Sequence, residues 1–202
     1  MENNLKFNDF ELKLKEYAKL HKVPIIQDEG LSFLLNVIKL KKPLNILEVG
    51  TAIGYSSILM AKNSNAKIYT IERDINMYNE AKKNILECNL ENKINIIFKD
   101  ALLAFDDVKD VKFDLIFIDA AKAQYTKFFN LYEPLLNEFG VIVCDNMLFH
   151  GLVESTDTSN LSRSVRGLVR KLNDFHKFLL ENDKYDTSIY DIGDGMSISI
   201  KK

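Results

Sequence analysis

Five short, largely apolar runs constrain this chain more than any other feature; they lie at 44–49, 67–71, 94–98, 113–118 and 141–144. Each has the length of a strand, and most lack the strict polar alternation of a sheet with one wet face. Segments of helical pattern separate them, at 54–62, 75–89 and 123–137. Buried strands alternating with helices predict a parallel sheet covered on both faces. The expected architecture is α/β, a doubly wound sheet of about seven strands.

Both ends depart from the alternation. Phe10, Leu14, Tyr17 and Ala18 recur at helical spacing within about 7–20, and Leu31, Leu34, Leu35 and Ile38 within about 28–41. These two helices make residues 1–42 a helical cap on a single domain spanning 1–202. Near the other end a long helix is expected at 161–181. The β-type runs 187–192 and 196–200 then flank Gly193-Asp194-Gly195. Two such runs around a glycine turn form a hairpin, so the last strand should be antiparallel. No linker composition and no internal repeat interrupt the chain.

Composition excludes several classes. There are 27 Lys and Arg against 29 Asp and Glu, a net charge of −2, with 47% hydrophobic residues. That apolar content and small net charge rule out disorder as the main state. Total charge also disfavours binding polyanions over the whole surface. Met1-Glu2-Asn3-Asn4 does not open a signal peptide. No run approaches the roughly 20 apolar residues of a membrane span. Cys88 and Cys144 build neither a disulfide framework nor a zinc site. Cys144, inside Val141-Ile142-Val143-Cys144, is expected to act as a small buried hydrophobe. A cytoplasmic location with no membrane association is the simplest expectation.

The first strand runs into Glu48-Val49-Gly50-Thr51-Ala52-Ile53-Gly54-Tyr55-Ser56. In open α/β sheets, ligands bind beyond the carboxyl ends of the strands. A glycine there lets the backbone approach a ligand, and the following helix offers free N–H groups. The Gly-x-x-x-Gly spacing is not that of dinucleotide binders, and no Walker lysine follows. Glu72 ends the second strand, 22 residues after Gly50, where a carboxylate suits ribose hydroxyls. Asp100-Ala101 follows the third strand and suits an adenine amino group. Singly these read as a turn, a solvated strand end and a helix cap. Together they favour a nucleoside ligand, and the Glu-Val-Gly-Thr-Ala-Ile-Gly form favours S-adenosylmethionine over NAD.

Strand four ends in Asp119-Ala120-Ala121-Lys122 and strand five in Asp145-Asn146. Asp119, Asp145 and Asn146 should meet at the same sheet edge as the glycine loop. Two carboxylates and an amide oxygen are hard ligands that suit a hydrated Mg²⁺ with positions open to substrate. Without a cation, carboxylates so close would repel. The plainer alternative is that Asp119 binds the cofactor and Asp145 caps the next segment.

These motifs resemble the class I S-adenosylmethionine-dependent O-methyltransferases of the catechol and caffeoyl-CoA type, which have a Rossmann-like fold. The resemblance runs through the glycine loop, Ile71-Glu72-Arg73, Lys99-Asp100-Ala101, Phe117-Ile118-Asp119-Ala120-Ala121-Lys122 and Asp145-Asn146. Strand three ends in Lys99-Asp100 where relatives often have Gly-Asp. Val23-Pro24-Ile25-Ile26, Gln124-Tyr125, Phe128-Phe129, Leu131-Tyr132-Glu133-Pro134 and Gly193-Asp194-Gly195 resemble the bacterial tRNA 5-hydroxyuridine methyltransferases. The resemblance implies that Gly50 and Ser56 contact the methionine part of the cofactor, with Ile26 at its edge. It implies that Glu72 holds the ribose and that Asp100 and Ala101 meet the adenine. Asp119 would serve the cofactor and, with Asp145 and Asn146, Mg²⁺. Lys122 matches the general base. A homodimer is expected by the same analogy.

Residues 161–180 carry Arg163, Arg166, Arg170, Lys171 and Lys177 against Asp174 alone, a local charge of 5 − 1 = +4. The three arginines share one helix face, and Val165, Leu168, Val169 and Leu172 face the other way. This is either an ordinary solvated face or a phosphate-binding patch for a tRNA anticodon stem-loop. On the second reading Arg163, Arg166, Arg170 and Lys171 bind RNA. His150, near the acidic cluster, either gates substrate or is a polar loop residue; His21 and His176 read as surface positions. The readings left open are a tRNA wobble-uridine methyltransferase making 5-methoxyuridine, a small-molecule catechol-type methyltransferase, and a non-catalytic nucleotide- or RNA-binding module. Asp119, Lys122, Asp145 and Asn146 argue against the third.

Overall fold

The computed structural model describes residues 8–149, 151–153 and 161–202. Seven strands form one sheet: β1 (Asn45–Val49), β2 (Lys67–Glu72), β3 (Ile94–Phe98), β4 (Phe113–Ile118), β5 (Leu136–Cys144), β6 (Tyr185–Tyr190) and β7 (Met196–Lys201). Their order is β3-β2-β1-β4-β5-β7-β6. The first five are parallel, and β7 inserts antiparallel between β5 and β6. The expected sheet, with its antiparallel last strand, is therefore the observed one.

The helices are α1 (Asp9–His21), α2 (Asp28–Lys41), α3 (Tyr55–Lys62), α4 (Ile75–Glu87), α5 (Phe105–Val108), α6 (Tyr125–Tyr132) and α7 (Arg163–Leu180). Strand side chains alternate between two cores. Ile46, Leu115, Phe117, Val141 and Val143 face α1 to α4. Leu47, Ile116, Ile118, Ile142 and Cys144 face α5 to α7. Both faces are buried, so the strands are apolar throughout their middles, as the runs in the sequence foretell. Cys144 is 1% exposed, and burial pushes its thiol up to about 12, which makes it an unreactive part of the core.

Local chemistry sets the ends of the cap. Asn8 and Glu11 form a reciprocal capping box at the start of α1. Lys15 pairs with Asp28 at 2.7 Å and Lys62 with Glu11 at 3.0 Å, tying α1 to α2 and α3.

The predicted helix over 123–137 is shorter than the pattern suggests. A 3-10 turn at Lys122–Gln124 leads into α6, and a second at Glu133–Leu135 leads into β5. Glu133 still has helical φ and ψ, but Pro134 lacks the N–H that would carry the α ladder on, so the α-helix stops there. The four-residue α5 was too short to show a period.

The β6–β7 turn also braces a loop. The carbonyls of Asp194 and Gly195 accept N–H bonds from Leu148 at 2.8 Å and Met147 at 3.0 Å. Gly195 has φ +88°, and a Cβ there would lie 2.6 Å from the Leu148 nitrogen. Only glycine fits that approach. Among the described residues, no helix is long and apolar enough to cross a membrane.

Candidate active site

The parallel strands bring the loops after β1 to β5 to one edge, where they line a cavity of about 360 Å³. Every cofactor and metal residue expected from the sequence lines it: Ile26, Gly50, Ser56, Glu72, Asp100, Ala101, Asp119, Lys122, Asp145 and Asn146.

Gly50 has φ +105°, and a Cβ there would lie 2.0 Å from the Asp119 carbonyl oxygen. The loop after β1 and the loop after β4 thus touch through backbone alone. Ala52 and Gly54 also take positive φ, at 47° and 84°. Gly54 then caps α3, whose first residues Tyr55 and Ser56 line the cavity.

Glu72 is more committed than its sequence role suggests. Its Oε2 accepts the Ala52 N–H and its Oε1 the N–H groups of Arg73 and Asp74, each at 2.8 Å. An ionised carboxylate has about four acceptor sites. Accepting two ribose hydroxyls therefore requires one backbone donor to let go. Asp100 caps the turn after β3, accepting from Leu102 N–H at 2.9 Å, and keeps its place in the cavity wall. Tyr132 donates to the Ala101 carbonyl at 2.6 Å and fixes that segment from α6.

Glu48 carries no role in the sequence reading, yet it organises the floor of the site. It is fully buried in β1 and accepts hydrogen bonds from the hydroxyls of Ser56, Ser57 and Thr70. Burial pushes its carboxyl up to about 7, against the three hydroxyls that hold it down. Ser56 thus reaches the cofactor cavity while its hydroxyl donates inward. The available signal was a lone acidic residue inside a buried apolar strand.

Asp119 and Asp145 face each other across the ends of β4 and β5. Desolvation raises both carboxyls from the usual range; the Asp145 charge adds to this at Asp119, and Lys122 opposes it at both. Asp145 is 2% exposed. Its Oδ1 accepts the Asn146 N–H at 2.6 Å, while its buried Oδ2 has no hydrogen-bond partner among the described residues. Asn146 has φ +56° and its Oδ1 accepts from Lys122 Nζ. No third His, Cys, Asp or Glu joins the carboxylate pair among the described residues. A buried acceptor left open, beside a second carboxylate and an amide oxygen, fits a hard divalent cation.

Three elements hold this loop by its backbone. Tyr125 Oη donates to the Asp145 carbonyl at 3.0 Å, and His176 Nε2 lies 2.9 Å from the Met147 carbonyl. The β6–β7 turn supplies the other bonds. His176 is thus half-buried and bonded to the loop beside the acidic pair, not the plain surface residue expected from its neighbours. His21 is exposed and stacks on Tyr17, with ring centroids 4.1 Å apart. His150 lies outside the described residues. Arg163, Arg166, Arg170 and Lys171 are exposed on α7, while Val169 and Leu172 are buried beneath them.

The sheet order, the glycine loop and the polar groups at the ends of β2 to β5 define a class I S-adenosylmethionine-dependent methyltransferase. The O-methyltransferase family profile matches residues 8–202, and the chain belongs to that family. A catechol O-methyltransferase of Niastella koreensis is 33% identical over 195 residues, covering 92% of this chain and 85% of that one. A crystal structure from Staphylococcus aureus, provisionally described as a caffeoyl-CoA O-methyltransferase, is 41% identical with a TM-score of 0.92. That match covers 97% of this chain and 93% of that one. The S-adenosylhomocysteine-bound methyltransferase PaMTH1 of Podospora anserina shares the fold at a TM-score of 0.86 and 24% identity, over 100% of this chain and 92% of that one.

Proposed function

We propose that this chain transfers a methyl group from S-adenosylmethionine to one of two oxygens on adjacent carbons of a small, catechol-like acceptor. Asp119, Asp145 and Asn146 would hold a divalent cation, Mg²⁺. The observation that carries this reading is the buried Oδ2 of Asp145, which lines the glycine-loop cavity without a hydrogen-bond partner among the described residues. The names of the relatives support the acceptor class.

When bound, the cofactor supplies an electrophilic methyl group and the cation stabilises a developing oxyanion. The chain's own residues supply position. Gly50 lets the loop close on the cofactor's methionine end, and Glu72, Asp100 and Ala101 hold its nucleoside. Tyr125 fixes the Asp145 backbone, and His176 and the β6–β7 turn hold Met147 and Leu148 just after the Asp145-Asn146 pair. Lys122, which lines the cavity, takes the acceptor's proton as the neutral amine, a form open to it once the divalent ion has replaced its ammonium beside the acidic pair. Such in-line transfer gains most of its rate from placement.

A second reading keeps the chemistry and changes the acceptor to 5-hydroxyuridine of tRNA, which also carries oxygens on adjacent carbons. The exposed Arg163, Arg166 and Arg170 favour it, because α7 packs on the 3-10 turn that carries Lys122. The two readings separate by experiment. The purified chain is given S-adenosylmethionine, Mg²⁺ and either caffeoyl-CoA and catechol or tRNA bearing 5-hydroxyuridine, and products are read by mass spectrometry. A methylated catechol lost on chelation supports the first reading; turnover of tRNA alone replaces it with the second. Undiminished turnover in chelator overturns the metal role in both. In a deletion strain, loss of 5-methoxyuridine with build-up of 5-hydroxyuridine would establish the second reading; unchanged tRNA would end it.

A further inference from the structure

Lys122 Nζ donates to Asn146 Oδ1, the oxygen that the cation reading assigns to the metal. Its charge also acts on Asp119 and Asp145, favouring ionised carboxylates in a desolvated place. The ammonium therefore already occupies the electrostatic role of a cation. It does not complete the site, because Asp145 Oδ2 still has no hydrogen-bond partner among the described residues.

We propose, resting on the divalent-cation reading above, that Lys122 is the resident cation of this site and that a divalent ion binds by displacing its Nζ from Asn146. Two positive groups sharing Asn146 Oδ1 would sit within a few ångströms and repel strongly in a partly dry pocket. Lys122 does not depend on Asn146 alone. It is half-buried on a 3-10 turn that lines the cavity, and its Nζ already lies 5.8 Å from the Phe149 ring centroid, a contact it can keep on leaving the amide oxygen. An aromatic face receives an ammonium favourably. Exchange of one cation for the other keeps the acidic pair neutralised throughout. It also frees Lys122 from the amide oxygen only once the ion is in place.

The competition predicts a sign opposite to that of a helper residue. Mn²⁺ is titrated into the full chain without cofactor or acceptor and followed by electron paramagnetic resonance. Lys122→Met removes the charge and keeps much of the length, and it should bind Mn²⁺ roughly tenfold more tightly, since no charge-assisted hydrogen bond has to break. Lys122→Arg keeps a cation and should stay near the wild type. Calorimetric affinity for S-adenosylhomocysteine reports that the fold is intact; if Lys122→Met does not fold, Lys122→Gln gives the same reading. Equal or weaker Mn²⁺ binding in the neutral variant, with cofactor affinity kept, overturns the displacement and leaves the cation site standing. Absence of Mn²⁺ binding in wild type and variants alike overturns both.

Discussion

The hydroxyl of Tyr125 donates to the main-chain carbonyl of Asp145 at 3.0 Å, joining the start of α6 to the first residue of the proposed cation loop. Both residues are buried, and the Tyr125 ring meets Phe175 of α7 edge-on at 5.5 Å. Tyr125→Phe keeps the ring and removes the donor. It should cost about 1–3 kcal/mol, the penalty for an unsatisfied buried carbonyl. Denaturant unfolding reads the stability, and Mn²⁺ binding should weaken while cofactor affinity holds. Equal weakening of both ligands would reduce Tyr125 to a general core residue.

Asp145→Ala and Asn146→Ala should abolish methyl transfer while S-adenosylmethionine still binds, because the nucleoside contacts lie on β2 and β3. Calorimetry and a single-turnover assay separate the two effects. Full turnover in either variant would sink the metal role.

Gly50→Ala places a methyl group 2.0 Å from a backbone oxygen at φ +105°. The backbone conformation alone costs about 1–3 kcal/mol, and the clash adds to it. Cofactor binding should be lost with the stability. Gly167, inside α7, has nothing within 4 Å of its would-be Cβ. Gly167→Ala should therefore stabilise by about 0.5–1 kcal/mol. Thermal melts of the two variants should move in opposite directions.

Glu48 makes stability fall as pH rises. Below pH 4.5 its carboxyl is protonated in folded and unfolded chains alike. Between 4.5 and about 7 only the unfolded chain ionises it, so the folded state loses ground; above about 7 the loss is complete. The rise from 4.5 to about 7 corresponds to on the order of 3 kcal/mol. Glu48→Gln should flatten the fall in stability across that window, measured by denaturant midpoints in chelator. Parallel profiles for the two proteins would refute it.

Arg163, Arg166 and Arg170 changed together to Gln should weaken tRNA binding and lower its salt dependence, if α7 is a phosphate-binding face. Filter binding at several ionic strengths measures this. An unchanged affinity and slope would return the helix to an ordinary solvated surface.

Much of this was legible in the residues. The runs at 44–49 and 113–118 are strands because continuous apolar stretches need cover on both faces. Gly50, Glu72, Asp100, Asp119 and Asp145 fall at strand ends, and a parallel sheet puts all such ends on one edge. Pro134 marked the stop of α6, although the apolar pattern through 123–137 hid it. His176 was missed because it sits among surface-type positions in the sequence, and its contact with the distant Met147 carbonyl exists only in the fold.

Sequence alone determined which segments are strands and which residues stand at their ends, because hydrophobic periodicity and turn chemistry act over a few neighbours. Tertiary structure decided the rest. It placed β7 between β5 and β6, closed three hydroxyls on Glu48, set Lys122 against Asn146 and left Asp145 Oδ2 open. Each of these joins groups separated along the chain. Their proximity follows from how two cores pack on one sheet, which no local pattern encodes.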